Sequence, residues 1–237
     1  MFKRICVAAL LLVLTACGAP RPRPATPQAP AASVSAAGLP LPGKAYRIDA
    51  DQSELRILVY RAGALARLGH NHVLVNHALR GSVGLADTPD ATIFSLTVPA
   101  AGFVVDDAKA RHEEGTDFAN EVPDEAKAGT LQNMLGTALL DAAEFPLITV
   151  NSVGVSTDKY ENGAGPLIAT VAISVAGHES KIDVPFTLQS DSNRVSASGS
   201  LELRQSNLGL TPYSLMMGAL QVQDAMTIKF KIVATPG

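Results

Sequence analysis

From residue 45 onwards the sequence alternates between apolar and polar residues with a period of two. Leu55, Ile57 and Val59, for example, alternate with Glu54 and Arg56. This period places successive side chains on opposite faces of a β-strand, one apolar and one polar. Because such strands must bury their apolar faces against one another, the pattern predicts an all-β, antiparallel fold, either a closed barrel or a sandwich.

The pattern recurs along the rest of the chain. Further alternating or apolar runs cover residues 94–98, 147–155, 166–176, 182–188, 195–203 and 226–232. Turn-forming residues bound them at 88–90, 161–163, 176–178 and 191–193. No second domain boundary interrupts this series, so residues 44–237 are predicted to form a single domain.

Three segments depart from the period of two. Residues 123–141 begin with Pro123 and carry Leu131, Met134, Leu135 and Leu139 at helical spacing, which predicts a helix. Residues 213–220 are long enough for one short helical turn. Residues 106–117 are charged and lack any periodicity, which favours a solvated loop.

The N-terminus has the organisation of an export signal. Lys3 and Arg4 precede a short apolar run, and small residues then lead to Cys17. This pattern resembles the lipobox of bacterial lipoproteins, which implies that residues 1–16 are removed and that Cys17 is acylated and anchors the chain in a membrane. The alternative is an ordinary secretory signal followed by a stray cysteine. Cys6 lies in the segment to be removed, so no cysteine remains for a disulfide, a thiolate metal site or a nucleophile.

Residues 17–43 are rich in Pro and Ala and contain no acidic residue. Such a composition buries little apolar surface and is predicted to form an extended tether. Four of the 19 basic residues precede residue 44, which leaves 15 basic against 22 acidic residues in the domain, a net charge of −7. This acidic balance and the absence of Trp argue against nucleic-acid binding.

Several small residues are predicted to face the barrel interior. They are Gly81, Ala169, Ala197 and Gly199. Small inward residues leave room for a ligand inside an eight-stranded barrel. The other interpretation is that they relieve crowding where strands bend.

The order of several short motifs resembles the YceI-like family, whose members are periplasmic, lipocalin-like barrels that bind polyisoprenoid lipids. The matching residues extend over 45–235. They are Tyr46-Arg47-Ile48-Asp49 with Ser53, Gly69-His70, Phe145-Pro146-Leu147-Ile148, Val175-Ala176-Gly177-His178 with Val184-Pro185-Phe186, and Leu208-Gly209-Leu210. The resemblance implies an antiparallel, eight-stranded barrel with one or two short helices and a hydrophobic tunnel for a prenyl chain. It also favours an outer-membrane location facing the periplasm, since Gly18 after Cys17 offers no inner-membrane retention signal.

In such a barrel the ligand is held by apolar area, and no nucleophile, base or cofactor is required. The sequence contains no Gly-x-Ser-x-Gly elbow, and we expect a binding protein rather than an enzyme. The predicted ligand-binding residues are Ile57, Val59, His77, Leu79, Val83, Phe94, Leu96, Ile173, Phe186, Leu188, Val195, Leu201, Met226, Ile228 and Phe230. Plain core packing is the alternative role for each apolar residue, and a ligand-free interaction module is the alternative for the whole barrel.

The histidines admit three interpretations. His70 and His72 are two residues apart, so on a strand they share a face and are candidate metal ligands together with nearby acidic residues such as Asp106 and Glu113. Alternatively, they orient the polar head of a ligand, or they only hydrogen-bond the backbone at the barrel mouth. Counting back from Leu79 with a period of two places His77 on the inward face and His72 on the outward face, unless residues 69–76 contain a turn.

Overall fold

The computed structural model describes residues 43–157 and 166–237. The predicted signal and tether, and the predicted turn at 161–163, lie outside these ranges. The strands are β1 Lys44–Ile48, β2 Glu54–Ala62, β3 His72–Asn76, β4 Arg80–Leu85, β5 Ile93–Pro99, β6 Phe103–Val105, β7 Leu147–Ser156, β8 Leu167–Val175, β9 His178–Ser190, β10 Val195–Arg204, β11 Ser214–Leu215 and β12 Leu220–Pro236. The α-helices in the described ranges are α1 Ala108–Glu113 and α2 Asp124–Leu135.

Eight strands close into an antiparallel barrel, as the resemblance to the YceI-like family implied; the sandwich that the alternation alone left open is not formed. Their order is β1-β4-β5-β7-β8-β9-β10-β12, and β12 pairs again with β1 at Tyr46 and Pro236. The 17 residues of β12 are long enough to pair with two consecutive strands on the same side. Its last residues pair with β1, whereas Gln221 to Lys231 pair with β2.

A sharp turn between β1 and β2 lets both strands follow β12. The Asp49 carboxylate accepts hydrogen bonds from the backbone amides of Asp51 and Gln52, which caps a single 3-10 turn over Ala50–Gln52. The buried Ser53 hydroxyl then donates to the Asp49 carbonyl at 2.6 Å and accepts from the Val233 amide at 2.9 Å. These bonds fix the start of β2 against β12.

Strand β3 is buried on both faces, so its sequence lacks the alternation of apolar and polar residues. All five of its residues are buried. On the outer face, Val73 and Val75 pack with Leu58, Ala110 and Phe118 under α1. A strand covered on both sides reads as a continuous apolar run rather than as an alternating one.

Segment 106–117 is not the predicted solvated loop. It contains α1, whose N-cap is the Asp107 side chain, which accepts from the Ala110 amide. Arg56 holds this segment to the barrel wall through contacts of 2.9 Å with Glu113 and 2.7 Å with Glu114, and Lys229 also pairs with Glu114. These ion pairs explain why a charged segment without apolar periodicity folds onto the barrel.

The helix predicted over residues 123–141 is shorter in the structure. It begins directly after Pro123 and stops before Gly136, whose ψ of 167° is extended. Leu140 donates its backbone amide to Met134 and Leu139 donates to Gly136, so the chain folds back beneath the helix end. The short helical turn predicted within 213–220 is not a right-handed helix in the structure, because the single turn over Met216–Gly218 has positive φ at all three residues.

Candidate functional site

An apolar cavity of about 290 Å³ extends along the interior of the barrel. Of the predicted ligand-binding residues, all the apolar ones line it, and His77 alone does not. Thr92 and Gln205 are the polar residues of the lining, which is otherwise almost wholly apolar. The volume lies just below the roughly 300–1,000 Å³ typical of ligand pockets.

The lining side chains border empty space rather than a packed core. Of the predicted apolar set, only Leu79, Val195 and Met226 are fully buried. Ile57, Ile228 and the others face the interior but keep accessible surface there. Protein interiors normally close such gaps by packing, so an apolar interior that keeps accessible surface is suited to an apolar guest.

Residues from outside the alternating strands close one end of the cavity. They are Phe103, Met134, Leu139, Leu140, Leu208 and Leu210. The helical spacing of Met134 and Leu139 indicated a buried face, but not that this face covers the barrel. The contribution of Phe103 had no sequence signal, because its strand β6 has only three residues. Leu208 belongs to a motif of the family resemblance, but that motif did not indicate contact with the cavity.

The small inward residues divide between the two interpretations. Ala169 and Ala197 line the cavity and leave it wide. At Gly199 a Cβ would lie 2.6 Å from the Phe230 ring and 2.4 Å from the Pro185 carbonyl oxygen, so the missing side chain is replaced by that ring. At Gly81, with φ of +149°, a Cβ would lie 2.1 Å from the Ser95 carbonyl oxygen. Both glycines therefore relieve crowding.

A second cavity of about 180 Å³ adjoins the first; its lining is still mostly apolar but includes several polar side chains, and we call it the antechamber. Val59, Leu74, Met134, Leu139 and Gln205 line both cavities. The other residues of the antechamber are Arg61, Gly69, His70, His72, Thr130, Asn133, Tyr213, Leu220, Gln221 and Val222. The apolar cavity thus shares part of its wall with one that offers hydrogen-bonding groups.

The described residues contain no helix that is both long and apolar enough to span a membrane.

Comparison with known proteins identifies the family. The family model of the YceI-like domain matches residues 46–234. The chain belongs to the YceI-like family. Comparison with curated proteins gave no match.

Solved structures confirm the YceI-like fold. BcnA from Burkholderia cenocepacia superposes with a TM-score of 0.58 at 16% identity, over 79% of this chain and 99% of BcnA. A polyisoprenoid binding domain from Saccharophagus degradans gives a TM-score of 0.53 at 14% identity, over 82% of this chain and 99% of that domain.

In this YceI-like barrel a buried network positions His72 at the antechamber. His72 pairs with Val59 across the β2–β3 ladder, so it faces inward and not outward as the count from Leu79 suggested. Its Nδ1 lies 2.6 Å from Asp106 Oδ2, and its Nε2 lies 3.2 Å from Thr130 Oγ1. The imidazole therefore links β3 both to the segment just before α1 and to helix α2.

Asp106 is the fully buried centre of that network. Burial alone would raise the pKa of its carboxyl group, but hydrogen bonds from His72, the Val73 amide and Arg111 outweigh burial and lower that pKa below its usual value. The carboxylate is therefore ionised and only accepts, so the Nδ1–H of His72 donates to it. Arg111 also donates to the carbonyls of Asn71 and Asn120, which satisfies its guanidinium.

His70 stands beside His72 with its ring centroid 6.0 Å away. Burial, followed by repulsion from His72, lowers the pKa of His70 below its usual value of 6.5. No hydrogen bond to its ring occurs among the described residues, so a neutral imidazole is available at the antechamber wall.

His77 lies outside the cavity, contrary to the prediction. Its side chain is 58% exposed, and its Nε2 lies 3.7 Å from Glu54. The count from Leu79 is wrong because β3 ends at Asn76, whose side chain accepts from the Ala78 amide at 2.8 Å and forms a turn. A period of two does not continue through a turn.

The metal interpretation gains no third ligand from the structure. Within the described ranges, no group of three or more His, Cys, Asp or Glu side chains is arranged to hold an ion. Asp106, the acidic residue nearest to His72, already accepts from His72 and Arg111. A stable site needs more convergent ligands than the two imidazoles supply.

Proposed function

We propose that this protein is a lipid-anchored, periplasm-facing carrier that binds one long apolar chain of the polyisoprenoid type inside its barrel. The observation that carries the proposal is the almost wholly apolar lining of the main cavity, in which Thr92 and Gln205 are the polar residues. The Saccharophagus degradans relative, described as a polyisoprenoid binding domain, supports the same ligand class.

Binding would be driven by removal of apolar surface from water. Each buried CH₂ group contributes about 0.8 kcal/mol, so a tail of a few prenyl units supplies useful affinity without any charged contact. The apolar side chains already face the cavity, so few of them need to be ordered on binding.

The antechamber would orient the polar head of the ligand. Its wall carries the neutral imidazole of His70 and the fixed imidazole of His72. Arg61, held by a 2.8 Å hydrogen bond to the Gly69 carbonyl, adds a positive charge. These groups favour an amphiphile with a hydrogen-bonding head over a pure hydrocarbon.

A binding role fits the arrangement better than catalysis. Asp106, His72 and Thr130 form a hydrogen-bonded chain of residue types found in hydrolytic triads. In this protein, however, the chain connects three elements of the fold, and its carboxylate is shared with Arg111. We interpret this hydrogen-bonded chain as a structural element that holds α2 in place over the end of the cavity.

Titration with polyprenyl alcohols of increasing length tests the ligand proposal. Affinity should rise with each added prenyl unit until the cavity is filled and then level off. A straight-chain alkane should bind more weakly than an alcohol of equal carbon number, because it leaves the antechamber groups without a partner. An affinity that is independent of length, or the absence of binding, would contradict the proposal.

Anchoring is tested separately through Cys17. The lipobox pattern supports acylation of Cys17, so Cys17→Ser should move the protein from the membrane fraction to the soluble periplasmic fraction. Cys6→Ser is the matched control and should leave the distribution unchanged. A Cys17→Ser protein that stays in the outer-membrane fraction after a high-salt wash would contradict lipid anchoring.

A further inference from the structure

Two neighbouring loops at the antechamber expose a cluster of large apolar side chains. We call residues 63–70 and 213–219 the mouth loops. Leu68 is 60% exposed, Leu215 is 45% exposed, Met216 is 71% exposed and Met217 is completely exposed. Isolated exposed apolar residues are common in proteins, but a cluster of them indicates a binding surface.

The mouth loops are held against each other, so the cluster is preformed. The Leu65 amide donates to the Ala219 carbonyl at 2.7 Å. Gly63, with φ of +90°, allows a close approach at this point, because a Cβ there would lie 2.4 Å from the Ala219 carbonyl oxygen. The two loops therefore present one surface.

The backbone at the tip of this surface is strained. Met216 and Met217 both lie in the left-handed region, with φ of 51° and 55°. Residues other than Gly, Asn or Asp adopt this conformation at a cost in free energy, and such strain is concentrated at functional positions. Here it accompanies two apolar side chains that project outward.

The surface borders the route to the cavity. Gly69 and His70 of the first mouth loop and Tyr213 of the second line the antechamber. Leu220, directly after the second loop, lines it as well. A molecule that met this surface would lie next to the antechamber, which shares part of its wall with the apolar cavity.

The charges of the surface favour an anionic partner. The mouth loops themselves contain no Asp or Glu, although the domain has a net charge of −7. Arg61 and the exposed Arg67 supply positive charge at the first loop. Basic side chains beside an exposed apolar cluster match the interface of a bilayer that contains anionic lipids.

We propose that the mouth loops dock on the surface of a lipid bilayer, with Met216, Met217 and Leu68 inserted among the headgroups and Arg67 facing anionic lipids. This docking aligns the antechamber with the bilayer, so that an amphiphile passes between membrane and cavity without crossing water. The transfer step rests on the proposed function, whereas the docking itself does not.

Single tryptophan probes test the docking, because the chain has no Trp of its own. The full mature protein is prepared as Met217→Trp, Leu68→Trp and, as a matched control, Val153→Trp. Val153 is 55% exposed and lies on β7, outside both mouth loops. Each protein is mixed with vesicles of phosphatidylethanolamine and phosphatidylglycerol that carry brominated acyl chains.

The probes at positions 217 and 68 should shift their emission to shorter wavelengths and be quenched by the brominated lipids, with stronger quenching at low salt. The control probe should show neither effect. Quenching at position 153 equal to that at 217 and 68, or at none of the three, would overturn the proposal. A shift of the Met217→Trp probe's emission to shorter wavelengths without vesicles, increasing with protein concentration, would also overturn the proposal. Such a shift would assign the surface to contact with a second copy of the chain.

Transfer kinetics separate this proposal from the ligand proposal. The double substitution Met216→Ser and Met217→Ser should slow uptake of a fluorescent polyprenol from vesicles and leave its equilibrium affinity unchanged. Unchanged uptake rates would overturn docking as the route of transfer. Failure of the unsubstituted protein to bind polyprenol, with the Met217→Trp probe still quenched by vesicles, would instead overturn the proposed function and leave the docking surface intact.

Discussion

His72 donates its Nδ1–H to Asp106 across 2.6 Å, although the two residues are 34 positions apart in the chain. This hydrogen bond joins β3, which lines the cavity, to the segment that leads into α1. The opposite ring nitrogen contacts Thr130 of α2. The imidazole of His72 thus connects β3, which forms part of the antechamber wall, to helix α2.

Asp106→Asn tests the importance of this charge. Asn also tolerates the left-handed φ of 57° at this position, so the substitution removes the charge without adding backbone strain. It would leave the buried Arg111 without its counter-ion, and we expect a loss of about 3–5 kcal/mol in the free energy of unfolding. The exposed Asp87→Asn is the control and should stay within about 0.5 kcal/mol. Equal stabilities of the two variants in urea denaturation would contradict the network.

Lowering the pH should reduce the free energy of unfolding, in part because His70 takes up a proton. Because the pKa of His70 is lowered in the fold, the unfolded chain takes up a proton first as the pH falls below about 6.5. The free energy of unfolding therefore declines from pH 6.5 down to the lowered pKa, and the contribution is intact above pH 6.5. His70→Gln should flatten this part of the profile, measured as thermal stability against pH. An unchanged slope would show that His70 titrates normally.

Filling the cavity should abolish ligand uptake while the barrel still folds. Ala197 lines the cavity, and Ala197→Phe would occupy part of the space proposed for the ligand. Overpacking of this kind costs about 1–3 kcal/mol. Ser198→Phe, the next residue on the outer face, is the matched control and should bind polyprenol normally. If both variants bind equally well, the ligand does not occupy this part of the barrel.

Gly199 is predicted to be intolerant of any side chain. A Cβ there would meet both the Pro185 carbonyl oxygen and the Phe230 ring, so Gly199→Ala should cost about 1–3 kcal/mol in thermal or urea unfolding. Gly154 on β7 has no atom within 4 Å of such a Cβ. Gly154→Ala should therefore be neutral or stabilise the protein by about 0.4–1 kcal/mol. The reverse order of stabilities would show that the Phe230 ring moves aside freely.

The strand faces were predictable because their signal is local. The period of two placed residues such as Ile57, Phe94 and Ile228 correctly on the cavity wall. The helix cover was predictable only in part, since Met134 and Leu139 revealed an apolar face but not its partner.

Of the polar side chains in the antechamber, only His70 and His72 were singled out from the sequence as site residues, because the contacts that build the rest of it are distant in sequence. His77 was assigned to the interior by a count that the turn at Asn76 interrupts. Asp106 and Arg111 belong to a charged segment whose six-residue helix is too short to show a period. Their burial depends on pairing with each other and with His72, which only the folded chain brings about.

Organic extraction of the natively exported protein, followed by mass spectrometry, tests the central claim most directly. We predict one co-purified amphiphile with a long apolar chain, present near one molecule per protein in the unsubstituted chain and in Ser198→Phe, and strongly depleted in Ala197→Phe. Extracts of the unsubstituted protein that contain no such molecule, or an equal yield from the Ala197→Phe protein, would contradict the account of the barrel as a lipid carrier.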